Sequence, residues 1–153
     1  DRIRVVHADF RSFRPGRKFD VVFSNPPYIR ANSGRLSEST EKSIAKHELK
    51  CDILGIMQKT AEVLNKNGRA YFIYAAKREN EFMDAVEQNG MKAKKLRFVF
   101  PRRGAAPNFL LVELDFTSSS ERILSPLVLY DEKGAYTSEA LEIFAGRSNV
   151  SSS

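Results

Sequence analysis

Short apolar runs alternate with amphipathic helical segments along this chain until two apolar runs follow one another with only a turn between them. The predicted strands cover residues 3–8, 19–24, 69–75, 93–100 and 109–116, and the predicted helices cover residues 47–64 and 79–88. The period at which apolar residues recur separates the two kinds of segment. Strands joined by a turn are antiparallel neighbours, whereas parallel strands need a longer crossover. The order therefore predicts an α/β fold with a mostly parallel sheet and one reversed strand.

Polar stretches divide the chain further. A Ser-rich linker follows residue 116 and separates a main unit, residues 1–116, from an extension, residues 117–146. The extension contains a short extended piece at 126–130 and a predicted helix at 138–144, for which Thr137 is a suitable N-cap. Residues 147–153 read RSNVSSS, and this composition predicts a disordered tail.

Composition narrows the classes of function. No apolar run approaches the ~20 residues of a membrane span, and no spacing of Cys, His and Asp resembles a metal site. The single cysteine, Cys51, allows no internal disulfide, which favours a reducing, cytoplasmic location. The formal net charge of +6 suits a polyanionic partner such as nucleic acid, although solubility alone would also explain it.

The run FDVVFS, residues 19–24, is nearly continuous in apolar character and predicts a strand buried on both faces. It is followed at once by Asn25-Pro26-Pro27-Tyr28. The prolines offer no N–H, and each residue that precedes a proline is held extended. The Pro26 carbonyl is thus left without a local donor, and the Asn25 side-chain oxygen is a second acceptor.

Two rigid acceptors beside an aromatic ring suit a planar guest that carries an NH2 group. The acceptors take its two N–H bonds, which makes the nitrogen lone pair more available for attack, while Tyr28 stacks on the guest. No strong base is required, because the proton leaves after the nitrogen has become cationic. Such catalysis rests on positioning and electrostatics. The alternative is a loop of chance composition that only ends a strand.

The motif and the segments after it resemble one enzyme family. NPPY after a buried strand is typical of S-adenosylmethionine-dependent amino methyltransferases, which modify adenine N6, cytosine N4 or glutamine N5. Four later segments resemble the tRNA1(Val) (adenine-N6)-methyltransferase family: SGRLSESTEKSIAKHELKCDI, LNKNGRAYFIYAAKRENEF, LRFVFPRRGAAPNFLLVEL and PLVLYDEKGAYTSEAL. The resemblance spans residues 1–144 and implies a Rossmann-like class I methyltransferase sheet with an antiparallel last strand.

The resemblance also implies roles for particular residues. Asn25, Pro26, Pro27 and Tyr28 would form the catalytic motif, with Asn25 also near the cofactor S-adenosylmethionine. Asp9 would accept from the amino group of the cofactor's adenine, with Phe10 packed on that ring. Both Asp9 and Asn25 stand at predicted strand ends, so their tips are expected at one edge of the sheet. The alternative for Asp9 is a cap at the end of a strand.

Basic residues point to the partner that the family implies, which is tRNA with one adenine turned out of its stack. The candidate phosphate contacts are Arg30 and Arg35 beside the motif and Arg97, Arg102 and Arg103 on the late hairpin. A solvated hairpin face is the alternative for the last three, and the motif favours RNA.

The Gly-rich loop and the acidic second-strand tip that open this family's cofactor site do not occur in the sequence. In the implied strand order 3-2-1-4-5-7-6, the chain would begin at strand 3, with the amino-terminal strands 1 and 2 missing. We therefore expect half a cofactor site, and a first strand that pairs abnormally, detaches, or is completed by further sequence. Two other functions stay open: N5-glutamine methylation of a release factor, and a non-catalytic RNA-binding module.

Overall fold

The computed structural model describes residues 3–26 and 53–146. The strands are β1 (Phe19–Ser24), β2 (Leu64–Ala75), β3 (Lys92–Phe100), β4 (Phe109–Asp115), β5 (Arg122–Ile123) and β6 (Leu127–Val128). The helices are α1 (residues 53–63), α2 (Glu79–Gln88) and α3 (Ser138–Phe144), with 3₁₀ turns at Phe10–Ser12 and Ala76–Arg78. The predictions for Pro27, Tyr28, Arg30, Arg35 and the tail 147–153 fall outside the described residues.

The sheet has the strand order β1-β2-β4-β3-β5, and β6 also pairs with β3. β1 is parallel to β2, whereas β4 is antiparallel to both of its neighbours. β5 and β6 run parallel to β3. The prediction of an α/β sheet with one reversed strand is therefore confirmed, and β1-β2-β4-β3 reproduces the 4-5-7-6 part of the order that the resemblance implies.

The hydrophobic core lies between one face of this sheet and the helices α1 and α2. Phe72 and Tyr74 of β2 point to that face, and their rings lie 5.4 and 5.2 Å from the ring of Phe82 in α2. Ile53 and Met57 of α1 are buried on the same side, as their helical spacing predicts. Burial of these large side chains fixes both helices against β2.

The opposite face of the sheet is open within the described residues. Phe23 of β1 is 77% exposed, and Val21 and Ile73 also present large apolar surface. The Phe23 ring is stacked on Tyr71 with the centroids 5.1 Å apart. The strand at residues 19–24 is confirmed, but its predicted burial on both faces is wrong here. The physical reason is that β1 is an edge strand among the described residues and that the described helices pack only against its core-facing side.

The predicted strand at residues 3–8 is also wrong. This segment joins no sheet, and Ile3 and Val5 are 83% and 89% exposed. A β-branched run needs a partner strand to complete its backbone hydrogen bonds, and no strand among the described residues pairs with the outer edge of β1. Of the three outcomes expected for this segment, the structure shows detachment.

The sequence predicts that Asn67-Gly68 stops the helix over 47–64, and this is wrong: β2 begins earlier than predicted, at Leu64, so both residues lie inside the strand. They sit where the β1–β2 pairing shifts register. A Cβ on residue 68 would lie 2.9 Å from the Asp20 carbonyl oxygen and 2.8 Å from Leu64 Cδ1. Glycine is thus required by the close approach of β1 at this bulge.

The carboxy-terminal extension packs along β3. The Leu124 and Leu129 amides donate to the carbonyls of Leu96 and Phe100 at 2.8 and 2.9 Å. Thr137 caps α3 by accepting from the Ala140 amide, which confirms that prediction. The antiparallel β3–β4 pair and the helix at 79–88 are confirmed as well. The division of the chain at residue 116 stays a prediction.

The crowding at Gly68 gives a stability prediction. Gly68→Ala should lower the free energy of unfolding by about 1–3 kcal/mol, because the methyl group meets backbone oxygen that cannot move without breaking the bulge. Gly16→Ala is the matched control, since nothing lies within 4 Å of a Cβ at that position. Urea unfolding monitored by circular dichroism measures both. Equal stability of the two variants would contradict the packing described at the bulge.

Detachment of residues 3–8 predicts their hydrogen exchange. Their amides donate no backbone hydrogen bond to another described residue and should exchange rapidly in the folded chain, whereas β4 amides should be strongly protected. Native-state exchange followed by NMR compares the two segments in one sample. Strong protection across residues 3–8 would show that they pair within a sheet after all.

Candidate active site

Asn25 and Pro26 lie at the carboxyl end of β1, where the strand stops. Asn25 is exposed, and its side-chain amide forms no hydrogen bond with another described residue. Pro26 is buried and anchors the backbone at this point. Because proline cannot continue a sheet ladder, the strand ends with an unengaged amide held beside a fixed carbonyl. This arrangement leaves the Asn25 oxygen available to a ligand.

Asn25 opens onto a pocket of about 550 Å³ on the open face of the sheet. Phe23, Tyr71 and Leu111 form much of its apolar wall, and Lys95 and Arg97 stand on its β3 side. The volume lies in the range of pockets that hold small organic molecules. The pocket thus joins aromatic surface near the motif to cationic groups farther along the sheet.

A buried carboxylate in this pocket was not anticipated from the sequence. Glu113 in β4 is 7% exposed and lies among three cations. Its Oε2 is 3.0 Å from Lys95 Nζ, and its Oε1 is 3.6 Å from Arg69 Nε and 3.8 Å from Lys94 Nζ. A hydrogen bond with Tyr71, and then the charge of Glu113, raise the pKa of Arg69. The signal in the sequence was a charged residue inside the apolar strand FLLVELD.

Asp9 is held by Arg11 rather than by a neighbouring strand. The carboxylate caps the 3₁₀ turn by accepting from the Arg11 amide at 2.9 Å, and its Oδ2 lies 2.6 Å from Arg11 Nη2. These hydrogen bonds to Arg11 lower the pKa of Asp9 to about 2. The Arg11 side chain in turn packs over Gly55 of α1, where a Cβ would lie 3.3 Å from its Cδ.

The structure does not bring Asp9 and Phe10 into the pocket that Asn25 lines. Phe10 packs against the core cluster, and Asp9 caps the 3₁₀ turn, whereas its alternative interpretation was a cap at the end of a strand. The expectation that both tips share a sheet edge assumed a strand at 3–8, and that assumption is wrong. The role of Asp9 and Phe10 in holding a cofactor therefore stays a prediction.

The three described arginines of the late hairpin differ in their surroundings. Arg97 donates to the Ser125 carbonyl at 2.8 Å and pairs with Glu139, so it ties β3 to the extension. Arg102 and Arg103 lie at the carboxyl end of β3, are exposed, and form no ion pair with a described residue. Their side chains are available to an anionic ligand in a way that the Arg97 side chain is not.

Neither a metal-binding group nor a membrane-spanning helix occurs among the described residues. Residues 3–26 and 53–146 hold no group of three or more Cys, His, Asp and Glu side chains that could bind a metal ion. No helix in that part of the chain is long and apolar enough to cross a membrane.

Comparison with known proteins places this site in context. The family model for the Eco57I restriction-modification methylase matches residues 4–98. A tRNA1(Val) (adenine(37)-N6)-methyltransferase from Flavobacteriaceae bacterium (strain 3519-10) is 27% identical over 132 residues, which are 86% of this chain and 54% of that protein. The protein of the same name from Vibrio campbellii (strain ATCC BAA-1116) is 28% identical over 114 residues, 74% of this chain and 47% of its own. The chain spans about half the length of these curated relatives.

A solved structure supports the fold. A predicted O-methyltransferase from Agrobacterium tumefaciens superimposes with a TM-score of 0.70 at 19% sequence identity. The match covers 96% of this chain and 64% of that one. The class I methyltransferase sheet expected from the sequence is confirmed by this likeness and by the strand order.

The contact between Asp9 and Arg11 makes a titration prediction. Because the folded-state pKa lies below the ordinary value of 3.8, Asp9 is fully ionised above pH 3.8 and loses the contact as the pH falls through about 2. Arg11→Gln should return the pKa toward 3.8, as read from the Asp9 carboxyl carbon by NMR. Arg14→Gln is the matched control, since Arg14 faces Glu62 at 3.9 Å instead. An unchanged midpoint in Arg11→Gln would refute the assigned cause.

Proposed function

Because the chain belongs to the Eco57I restriction-modification methylase family, we propose that the protein methylates an adenine beside the anticodon of a tRNA. The methyl group comes from S-adenosylmethionine and is transferred to the N6 amine of that adenine. The observation that carries this proposal is the exposed Asn25 amide, which bonds to no described side chain or backbone group, beside buried Pro26 at the end of β1. The names of the curated relatives favour tRNA over a protein substrate. A tRNA substrate and the single cysteine both favour a cytoplasmic location for the protein.

The proposed chemistry uses acceptors rather than a strong base. The Asn25 side-chain oxygen accepts one N–H of the adenine amine, and the Pro26 carbonyl accepts the other. Together they orient the nitrogen and keep its lone pair from delocalising into the base. The nitrogen lone pair would attack the methyl carbon as the bond from that carbon to the sulfonium sulfur breaks, with the electron pair going to sulfur. The cationic amine would then lose its proton to water, with Asn25 and the Pro26 carbonyl holding the nitrogen in place. Tyr28, the last residue of the motif, would stack on the base.

S-adenosylmethionine, when bound, supplies an electrophilic methyl group. On the adenosine side, Asp9 offers an exposed, ionised carboxylate that suits an amino donor, although Arg11 already occupies part of its hydrogen-bonding capacity. Phe10 offers an aromatic surface that is only partly buried. These two residues fit the adenine end of the cofactor in chemical type.

RNA binding would use exposed cations at the sheet edge that carries Asn25. The parallel strands β1, β2 and β3 end at one edge, so Asn25, Lys77 and Arg102 share it. Exposed cations there would contact phosphates on either side of the target adenine. Arg30 and Arg35, which follow the motif in sequence, would add to this surface.

The test is methyl transfer by the protein encoded by the complete reading frame that contains these residues. With radiolabelled S-adenosylmethionine and unmodified tRNA, nucleoside analysis should give N6-methyladenosine. Asn25→Ala should reduce turnover about 10²-fold, because one preorganised contact to the reacting amine is lost. Asn80→Ala, an exposed asparagine on α2, should leave turnover unchanged.

Three outcomes would count against the proposal. Full activity in Asn25→Ala would remove the motif from the chemistry. Labelling of a release-factor glutamine in place of tRNA would assign the protein to the N5-glutamine methyltransferases. Tight tRNA binding with no methyl transfer, and no binding of S-adenosylmethionine in calorimetry, would indicate a non-catalytic RNA-binding module.

A further inference from the structure

A pair of tyrosines in the carboxy-terminal extension forms a preorganised stack. The rings of Tyr130 and Tyr136 lie 4.7 Å apart at an interplanar angle of 25°, and their hydroxyls are 3.3 Å apart. Phe144 of α3 meets the Tyr136 ring edge to face at 5.2 Å. Tyr136 is nevertheless 44% exposed and Phe144 is 61% exposed. Core aromatics are not left so open, so the stack presents its surface to solvent.

The turn between the tyrosines fixes their geometry. Asp131 Oδ1 accepts from the amides of Lys133 and Ala135, both at 2.9 Å, and the Asp131 amide donates to the Ala135 carbonyl at 2.8 Å. Gly134 has φ 84°, a left-handed conformation that favours glycine. Tyr130 and Tyr136 therefore form a bridged antiparallel pair whose side chains lie side by side. Little conformational freedom remains to be lost when a ligand binds.

Cations lie on the Tyr130 side of the stack, in a groove that Tyr136 does not line. The groove, of about 610 Å³, lies between the stack and the β3–β4 turn, and its lining includes Tyr130, Arg102, Arg103 and Lys133. Asp131 and Glu132 line the same groove, but the Asp131 carboxylate already accepts from the backbone of its own turn. Arg102, Arg103 and Lys133 form no ion pair with a described residue. An aromatic stack beside unpaired cations is the pairing of groups that binds single-stranded nucleic acid.

The stack lies at the sheet edge that carries Asn25. Tyr130 donates its amide to the Pro101 carbonyl, just beyond the end of β3. Three strand spacings separate β1 from β3, and β6 adds a fourth, so the stack lies about 19 Å from Asn25 along this edge. Lys77, at the end of β2, is exposed between them. A short single-stranded segment of RNA can bridge such a separation.

We infer that the Tyr130–Tyr136 stack, with Arg102, Arg103 and Lys133, binds a nucleotide that flanks the target adenine, by base stacking and phosphate contacts. The choice of RNA as the ligand rests on the proposed function. The surface is separate from the motif, and it gives the extension a role in holding substrate. RNA loops are commonly recognised through unstacked bases of this kind.

The test measures binding of a fluorescein-labelled 12-nucleotide RNA of mixed sequence to the 153-residue chain by fluorescence anisotropy. Tyr136→Leu keeps apolar contact with Phe144 but removes the aromatic face, and should raise the Kd about tenfold. Tyr136→Phe keeps the ring and should bind like the parent chain. Circular dichroism of each variant establishes that the extension is folded.

Salt dependence tests the cationic part independently of the tyrosines. Arg103→Gln should reduce the slope of log K against log salt concentration by about one, because one phosphate contact is lost. Arg17→Gln is the matched control, since Arg17 is exposed at the opposite end of β1. The slope should be retained in that variant.

Several results would overturn the inference. One is the absence of RNA binding. Another is RNA binding that neither Tyr136→Leu nor Arg103→Gln changes. A third is a chain that self-associates through this patch, seen as a dimer in sedimentation that Tyr136→Leu dissociates without any change in RNA affinity. Methyl transfer to tRNA together with any of these would leave the proposed function standing. Tyr136-dependent RNA binding without methyl transfer would reject the proposed reaction and keep this surface.

Discussion

The pairing of β2 with β1 on one side and β4 on the other is the interaction on which the rest of the molecule depends. β2 is an interior strand next to the β1 edge of the sheet, and its buried side chains hold α1 and α2 on one face. The parallel β1–β2 ladder fixes where β1 ends, and hence where Asn25 and Pro26 lie. The antiparallel β2–β4 ladder carries the hairpin that supports the extension. Gly68 is needed where the first of these ladders shifts register.

The direction of the strands then determines which residues lie together at the sheet edge that carries Asn25. Because β1, β2 and β3 point the same way, residues far apart in sequence share that edge: Asn25, Lys77, Arg102 and Tyr130. β4 runs the other way and brings Glu113 into the pocket from the opposite direction. There it meets Lys94 and Lys95 of β3 and Arg69 of β2. Two chemically distinct surfaces result. One carries the Asn25 amide, which has no hydrogen bond to a described residue, and the other carries paired charges.

The sequence predicted those features whose signals are local. The stop at Asn89-Gly90 ends α2, and Gly90 has the φ of 65° that a helix end of this kind requires. The antiparallel pair followed from the short connection between two apolar runs. The strand predicted over residues 3–8 is wrong for the opposite reason, because its formation is not local. Ile3 and Val5 have strand propensity, but a strand also needs a neighbouring strand to pair with. Glu113 was missed because its partners come from three positions that only the fold brings together.

The substrate half and the cofactor half of the proposed site therefore depend on different parts of the structure. The substrate half needs only the end of β1, and the β1–β2 ladder supplies that without help from residues 3–8. The cofactor half needs Asp9 placed beside that end, and the Asp9–Arg11 contact with α1 holds it elsewhere. A paired strand over residues 3–8 would have to release Asp9 from its cap before the carboxylate could face a cofactor. In the proposed site the capping contact and cofactor binding would compete for the same oxygen atoms, so the proposed role of Asp9 requires it to exchange its contact with Arg11 for the cofactor.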